Sequence, residues 1–218
     1  MRRLLPWLLV PALALGAGVC AWTVLQLPAQ AEGLGPLVQA SLDASGVAHP
    51  VTAVLLNFRG YDTLLELFVL FIAALGVRAL GLPTLVLEGA QSDPVLEHLA
   101  QWLAPLLLLV AVYLLWVGAV APGGAFQAGS VLGGAGVLLL LSFPERFVAP
   151  MRARLPWLLA PGPLVFLLVA VATLLARGRL LDLPPDAAGL LILLIELCAT
   201  VSIAATLLLL FAGARARP

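Results

Sequence analysis

The chain has no lysine among its 218 residues: all of its basic side chains are arginine. We read this as a GC-rich bacterial coding bias rather than as chemistry. It does exclude a phosphate-binding loop, which needs Lys and Ser/Thr after its glycines. Cysteine is nearly missing too. Cys20 and Cys198 both fall inside apolar runs, where they read as small packing residues and exclude a disulfide framework or a thiolate metal site. The two histidines, His49 and His98, stand near opposite membrane faces by sequence and cannot share a metal. No Ser/His/Asp arrangement, HExxH or GxSxG pattern is present, so no catalytic residue is expected. Charge is the last scarcity. Only 10% of residues are charged and the net charge is zero, which leaves nucleic acid without an electrostatic handle.

What is there is apolar. Hydrophobic residues make up 63% of the chain and the mean hydropathy is +1.14. Soluble domains are roughly 45–50% apolar and about a quarter charged. A core of this size cannot hide the excess, so lipid is the solvent for most of the surface. The expected fold class is all-α: a polytopic membrane protein of about six transmembrane helices. The spans are placed at Leu4–Leu27, Leu64–Leu82, Leu99–Val117, Gly124–Phe143, Leu155–Ala176 and Ala187–Ala212. Val51–Phe58 leads into the second span, either as part of the same helix or as a separate surface segment.

The first span has a rival reading. Arg2 and Arg3, the apolar run and Ala29-Gln30-Ala31 before Glu32 also fit a secretory signal with its cleavage site. The run is longer than a usual signal core, which favours a retained helix. With the N-terminus inside, Arg2, Arg3, Arg78, Arg146, Arg152, Arg154, Arg215 and Arg217 fall on the cytoplasmic side. Only Arg59, Arg177 and Arg179 fall opposite, so both termini are expected in the cytoplasm of a bacterium, with the chain in its inner membrane. The longest polar break on that side runs through Gln91-Ser92-Asp93-Pro94. It divides the chain into a two-helix segment, residues 1–90, and a four-helix segment, residues 91–218.

Ionisable groups inside hydrocarbon carry the functional information, because each costs ~2.5–3.5 kcal/mol at the bilayer centre unless it faces protein or a wet cavity. Glu196 lies ~13.5 Å into the last span, near mid-membrane. Placed there, it either handles protons or cations, or it is a protonated Glu making one interhelical hydrogen bond. Arg59, Asp62 and Glu66 follow at i, i+3 and i+7, which a helix would align on one face, with Glu66 the best single candidate. Gly60 could break the helix locally. The bland readings are that Asp62 or Thr63 caps the following helix and that Arg59 reaches the outer headgroups. Pro122, Gly123 and Gly124, followed by Phe126, read as a tight turn. The small residues after it form a face that lets another helix approach closely. His49, just before Pro50, reads as an interfacial histidine, with a proton antenna as the sharper alternative.

Two of these motifs carry a resemblance. Val54-Leu55-Leu56-Asn57-Phe58-Arg59-Gly60-Tyr61-Asp62-Thr63-Leu64-Leu65-Glu66, with Ile72-Ala73-Ala74-Leu75-Gly76-Val77, resembles the end of the large A subunit of Mrp-type multisubunit cation/proton antiporters. That family shows V-[DN]-F-R-G-[FY]-D-T-x-x-E there, and the same piece occurs as a separate subunit in membrane-bound hydrogenases. Ala121-Pro122-Gly123-Gly124-Ala125-Phe126 resembles the A-P-G-G-G-F pattern of the B subunit of the same antiporters, whose last span also holds an acid near the position of Glu196. Ala125 departs from the usual Gly, Gln127 from an apolar residue, and Pro144–Leu155 is a short divergent cytoplasmic segment. The resemblance implies an accessory subunit of an antiporter or complex I-related assembly. It would lend Glu66 and Glu196, aided by Arg59 and Asp62, to a proton or Na+ path. Its expected partners are other membrane subunits, the bilayer, protons and Na+; no cofactor is expected. The resembling complexes keep their pumping lysines in larger subunits, and this chain has none. The rivals are a self-contained small transporter and a purely structural subunit.

Overall fold

A computed structural model describes residues 5–26, 33–80 and 93–215. The Ala29-Gln30-Ala31 segment, the polar break at Gln91 with the division it was expected to mark, and Arg2, Arg3 and Arg217 lie outside the described residues. The chain forms two compact units, Met1–Leu37 and Val38–Pro218.

The first unit holds helix α1, Leu5–Leu25, of 21 residues with no charged side chain. In lipid the backbone must satisfy its own polar groups, so an apolar run of this length folds as helix. Its Thr23 hydroxyl does the same, donating to the Val19 carbonyl at 2.8 Å.

The rest of the chain is helical as well. Helix α2 covers Gly35–Ser45, α3 Pro50–Ala53, α4 Gly60–Ala79, α5 Pro94–Val117 and α6 Ala125–Ser142. Then come α7, Pro144–Leu159, α8, Pro161–Arg177, and α9, Pro185–Arg215. Among the described residues five stretches are long and apolar enough to cross a membrane: α4, α5, α6, Pro144–Arg177 and α9. The apolar stretch Val10–Leu25 of α1 is shorter. With α1 they overlap the six expected spans; most ends shift by a few residues, while the fifth stretch begins at Pro144 rather than Leu155.

Within the second unit α9 is the axis. Of its apolar window 56% is buried, against 11% for α5, which therefore lies at the periphery. Small residues let α6 close on it. A Cβ added at Gly129 would lie 2.8 Å from Ile203 Cβ, so only glycine permits this approach. On another side, the buried Gly162 N–H donates to Ser202 Oγ at 2.8 Å, fixing the start of α8 to α9. Phe166, Ile192, Ile195 and Leu67 fill the core between α4, α8 and α9.

Two local readings are decided by the structure. Val51–Phe58 is not continuous with α4: after α3 the backbone widens into a π-helical turn, Val54–Phe58, and breaks at Arg59 (φ −126°, ψ 32°). The Arg59 N–H donates to the Val54 carbonyl at 2.7 Å, and the Thr63 hydroxyl reaches back to the Leu55 carbonyl at 2.7 Å. Gly60 is the first residue of α4 rather than the break itself. It is buried against Leu181, whose Cδ1 would lie 3.1 Å from an added Cβ. The second is at Pro144–Leu155, expected only as a short divergent cytoplasmic segment. It forms most of helix α7, because Phe147, Val148, Met151 and Leu155 recur at helical spacing and pack on the ends of α4, α6 and α9.

Candidate functional site

The chain must reverse direction between α5 and α6, and glycine makes that reversal close. The Gly124 N–H donates to the Leu114 carbonyl at 2.9 Å, folding the turn back onto α5. A Cβ on Gly123 would sit 2.4 Å from the Leu114 oxygen, and one on Gly118 2.6 Å from the Gly124 nitrogen. Gly124 has φ +100° and ψ −170°, a conformation essentially reserved for glycine. The turn delivers the start of α6, with its unpaired N–H groups and positive dipole end, into the middle of the unit.

Glu196 meets it there. This side chain belongs to the buried face of α9 and is 5% exposed. It accepts a hydrogen bond from the Ala125 backbone N–H, the first residue of α6. Its Oε1 also lies against Gly124, where an added Cβ would come within 2.6 Å. A helix N-terminus is a ready anion site, so a carboxylate here caps α6 from another helix.

Glu196 opens onto a cavity of about 130 Å³. Because one water needs ~10–15 Å³ of such volume, the cavity has room for several waters or a partly hydrated cation. Its polar lining is His49, Thr52, Thr63, Glu66, Gln127 and Glu196, with Pro122, Gly123, Gly124 and Phe126 forming one wall. Thr52 is held by its hydroxyl, which donates to the Gly118 carbonyl at 2.6 Å. Glu66, an exposed residue of α4, lines the same cavity.

The sequence cluster around Arg59 is thus divided. Arg59 and Asp62 form an ion pair with each other, their side chains 62% and 46% exposed, and neither lines the cavity. Arg59 lies outside α4, so the face expected to join it to Glu66 is interrupted by the break in the backbone. Asp62 sits in the first turn of α4, and the Thr63 hydroxyl bonds the π-helical turn instead of capping. Sequence reasoning left His49 between an interfacial residue and a proton antenna, and missed Thr52 and Thr63 as lining groups. No local signal marks Thr52, since its partner is far away along the chain.

Among the described residues, five helices long and apolar enough to cross a membrane, packed around a buried carboxylate, define a polytopic all-α membrane protein. The chain belongs to the family of domains related to the MnhB subunit of Na+/H+ antiporters, whose model matches residues 95–214. A second model, that of the MbhE subunit of MBH, matches residues 1–82. The chain is 30% identical over 167 residues to a probable K(+)/H(+) antiporter A/B subunit of Rhizobium meliloti (strain 1021). That match covers 62% of this chain and 17% of the relative, so the chain spans about a sixth of that protein's length. Among solved structures, it resembles the Mrp complex from Dietzia sp. DQ12-45-1b, with a TM-score of 0.69 and 22% identity over 97% of this chain and 26% of that one. It also resembles a chain of the archaeal membrane-bound sulfane sulfur reductase, a respiratory membrane complex. There the TM-score is 0.67 and the identity 21%, over 99% and 100% of the two chains.

Proposed function

We propose that this chain is a non-catalytic membrane subunit of a multisubunit cation/proton antiporter, or of a complex I-related assembly, in a bacterial plasma membrane. Its cavity between α4, α9 and the α5–α6 turn serves as a proton or Na+ station, with Glu196 as the inner group and Glu66 as the outer one. The observation that carries this reading is the shared cavity: two acids from distant parts of the chain line the same small cavity within an apolar unit. Matches to two family models, over residues 1–82 and 95–214, support a chain of two parts, divided near residue 90. The arginine distribution supports cytoplasmic termini.

The test is ion transport in everted membrane vesicles carrying the whole complex, with Glu196→Gln and Glu66→Gln. Transport in both variants should fall by about an order of magnitude, while the complex still assembles. Unchanged transport in an intact complex would leave the purely structural reading. A lone purified chain that transports in vesicles would establish the self-contained transporter instead.

A further inference from the structure

At the end of the second unit opposite the acid cavity's turn, α5 diverges from α9 and leaves two adjoining spaces. The first is polar. Glu97, Gln101, Glu145 and Arg146 line it around the α6–α7 junction. The second is a groove of about 620 Å³ between α5, α6, α7 and α9, lined almost wholly by apolar side chains such as Leu108, Leu132 and Leu208. Gln101 and Phe143 line both spaces, so the polar one continues into the apolar one. Along α6 the groove runs from Leu132 to Phe143, ~16 Å at 1.5 Å per residue, about the depth of one leaflet of a ~30 Å hydrocarbon core.

We infer that these joined spaces bind one phospholipid with an amine-bearing, zwitterionic headgroup. Its phosphate would rest on Arg146, its ammonium between Glu97 and Glu145, and an acyl chain in the groove beside Ala104 and Gly136. The charges support this occupant. The polar space holds one guanidinium and two carboxylates, and among the described residues the ion pairs are Arg59–Asp62 and Arg177–Asp182, involving none of the three. A phosphate alone would leave the acids facing it, whereas a headgroup carrying both signs satisfies both. The apolar remainder of the same molecule fits the adjoining groove, because burying CH₂ groups there displaces no polar partner. A partner helix, ~10 Å across, would have to bring its own opposite charges to that one end.

The inference does not depend on the transport reading, and its test is separate. The whole complex, purified in mild detergent and stripped of lipid, would be titrated with dioleoyl phosphatidylethanolamine and, in parallel, dioleoyl phosphatidylglycerol. Native mass spectrometry would follow retention. One phosphatidylethanolamine per chain should be held, with phosphatidylglycerol retained more weakly. Arg146→Ala and the groove-filling Ala104→Leu should each weaken retention about tenfold. Glu97→Gln should erase the preference for the amine. Arg146 is exposed, so that variant decides the matter should Ala104→Leu fail to fold. Equal retention of both lipids, equal binding of the chainless glycerophosphoethanolamine, or indifference to Arg146→Ala would each overturn the proposal. So would cross-linking of an Ala104→Cys variant to a partner subunit, or to another part of this chain, without bound lipid.

Discussion

Gly124 and Glu196 are in contact across the centre of the unit: the space that a side chain on Gly124 would take is held by the Glu196 carboxylate, 2.6 Å from where a Cβ would be. One residue shapes a turn and the other belongs to a different helix, yet a side chain on the first would collide with the second. The contact makes the glycine a requirement of the acid as well as of the backbone.

Gly124→Ala therefore meets two penalties. The backbone conformation costs ~1–3 kcal/mol for a residue with a side chain, and the methyl group displaces the carboxylate. A lowered thermal midpoint of the detergent-solubilised complex is expected. Glu196→Ala should cost less in the Gly124→Ala background than in the wild type, because it also removes the collision between the methyl group and the carboxylate. Full additivity of the two changes would show that they do not touch.

Replacements of Glu196 should separate stability from transport. Gln keeps a carbonyl oxygen for the Ala125 N–H, so Glu196→Gln should assemble normally while transport falls. Glu196→Ala leaves that N–H without its partner, at a cost of ~1–3 kcal/mol. Its thermal midpoint should drop below that of the Gln variant. Equal midpoints for the two would mean that the carboxylate does not hold the start of α6.

Two glycines on α6 offer an internal contrast. A Cβ on Gly129 would press on Ile203 of α9 at 2.8 Å, whereas one on Gly134 meets nothing within 4 Å. Gly129→Ala should destabilise by ~1–3 kcal/mol through overpacking. Gly134→Ala should be neutral or stabilising by up to ~1 kcal/mol through helix propensity. Thermal unfolding of both variants, measured side by side, checks the α6–α9 interface.

Ser202→Ala removes the acceptor of the buried Gly162 N–H. The hydroxyl also donates to the Leu158 carbonyl at 3.2 Å, so one change loosens both α7 and α8 from α9. A loss of ~1–3 kcal/mol is expected from the stranded donor. Faster hydrogen exchange confined to the α7–α8 junction would locate the effect.

Composition alone decided the solvent and, through it, the secondary structure. With 63% hydrophobic residues the chain must meet lipid, and lipid leaves backbone groups no partner but one another, so helices at the apolar runs were legible residue by residue. Glu196 stood out for the same reason, as the one ionisable carboxyl in the last span, Ala187–Ala212. The Pro122-Gly123-Gly124 turn was equally plain. What stayed hidden is which face of each helix meets which neighbour. In a membrane both the lipid-facing and the protein-facing sides are apolar, so periodicity does not mark the packed face as it does in water. Three relationships were accordingly left to tertiary structure: the Arg59–Asp62 pair lying off the cavity that Glu66 and Glu196 both line, Thr52 tied to Gly118, and Pro144–Leu155 packed as a helix. Each depends on close approach between segments distant along the chain, which the order of residues does not encode locally and only the folded packing of helices around α9 supplies.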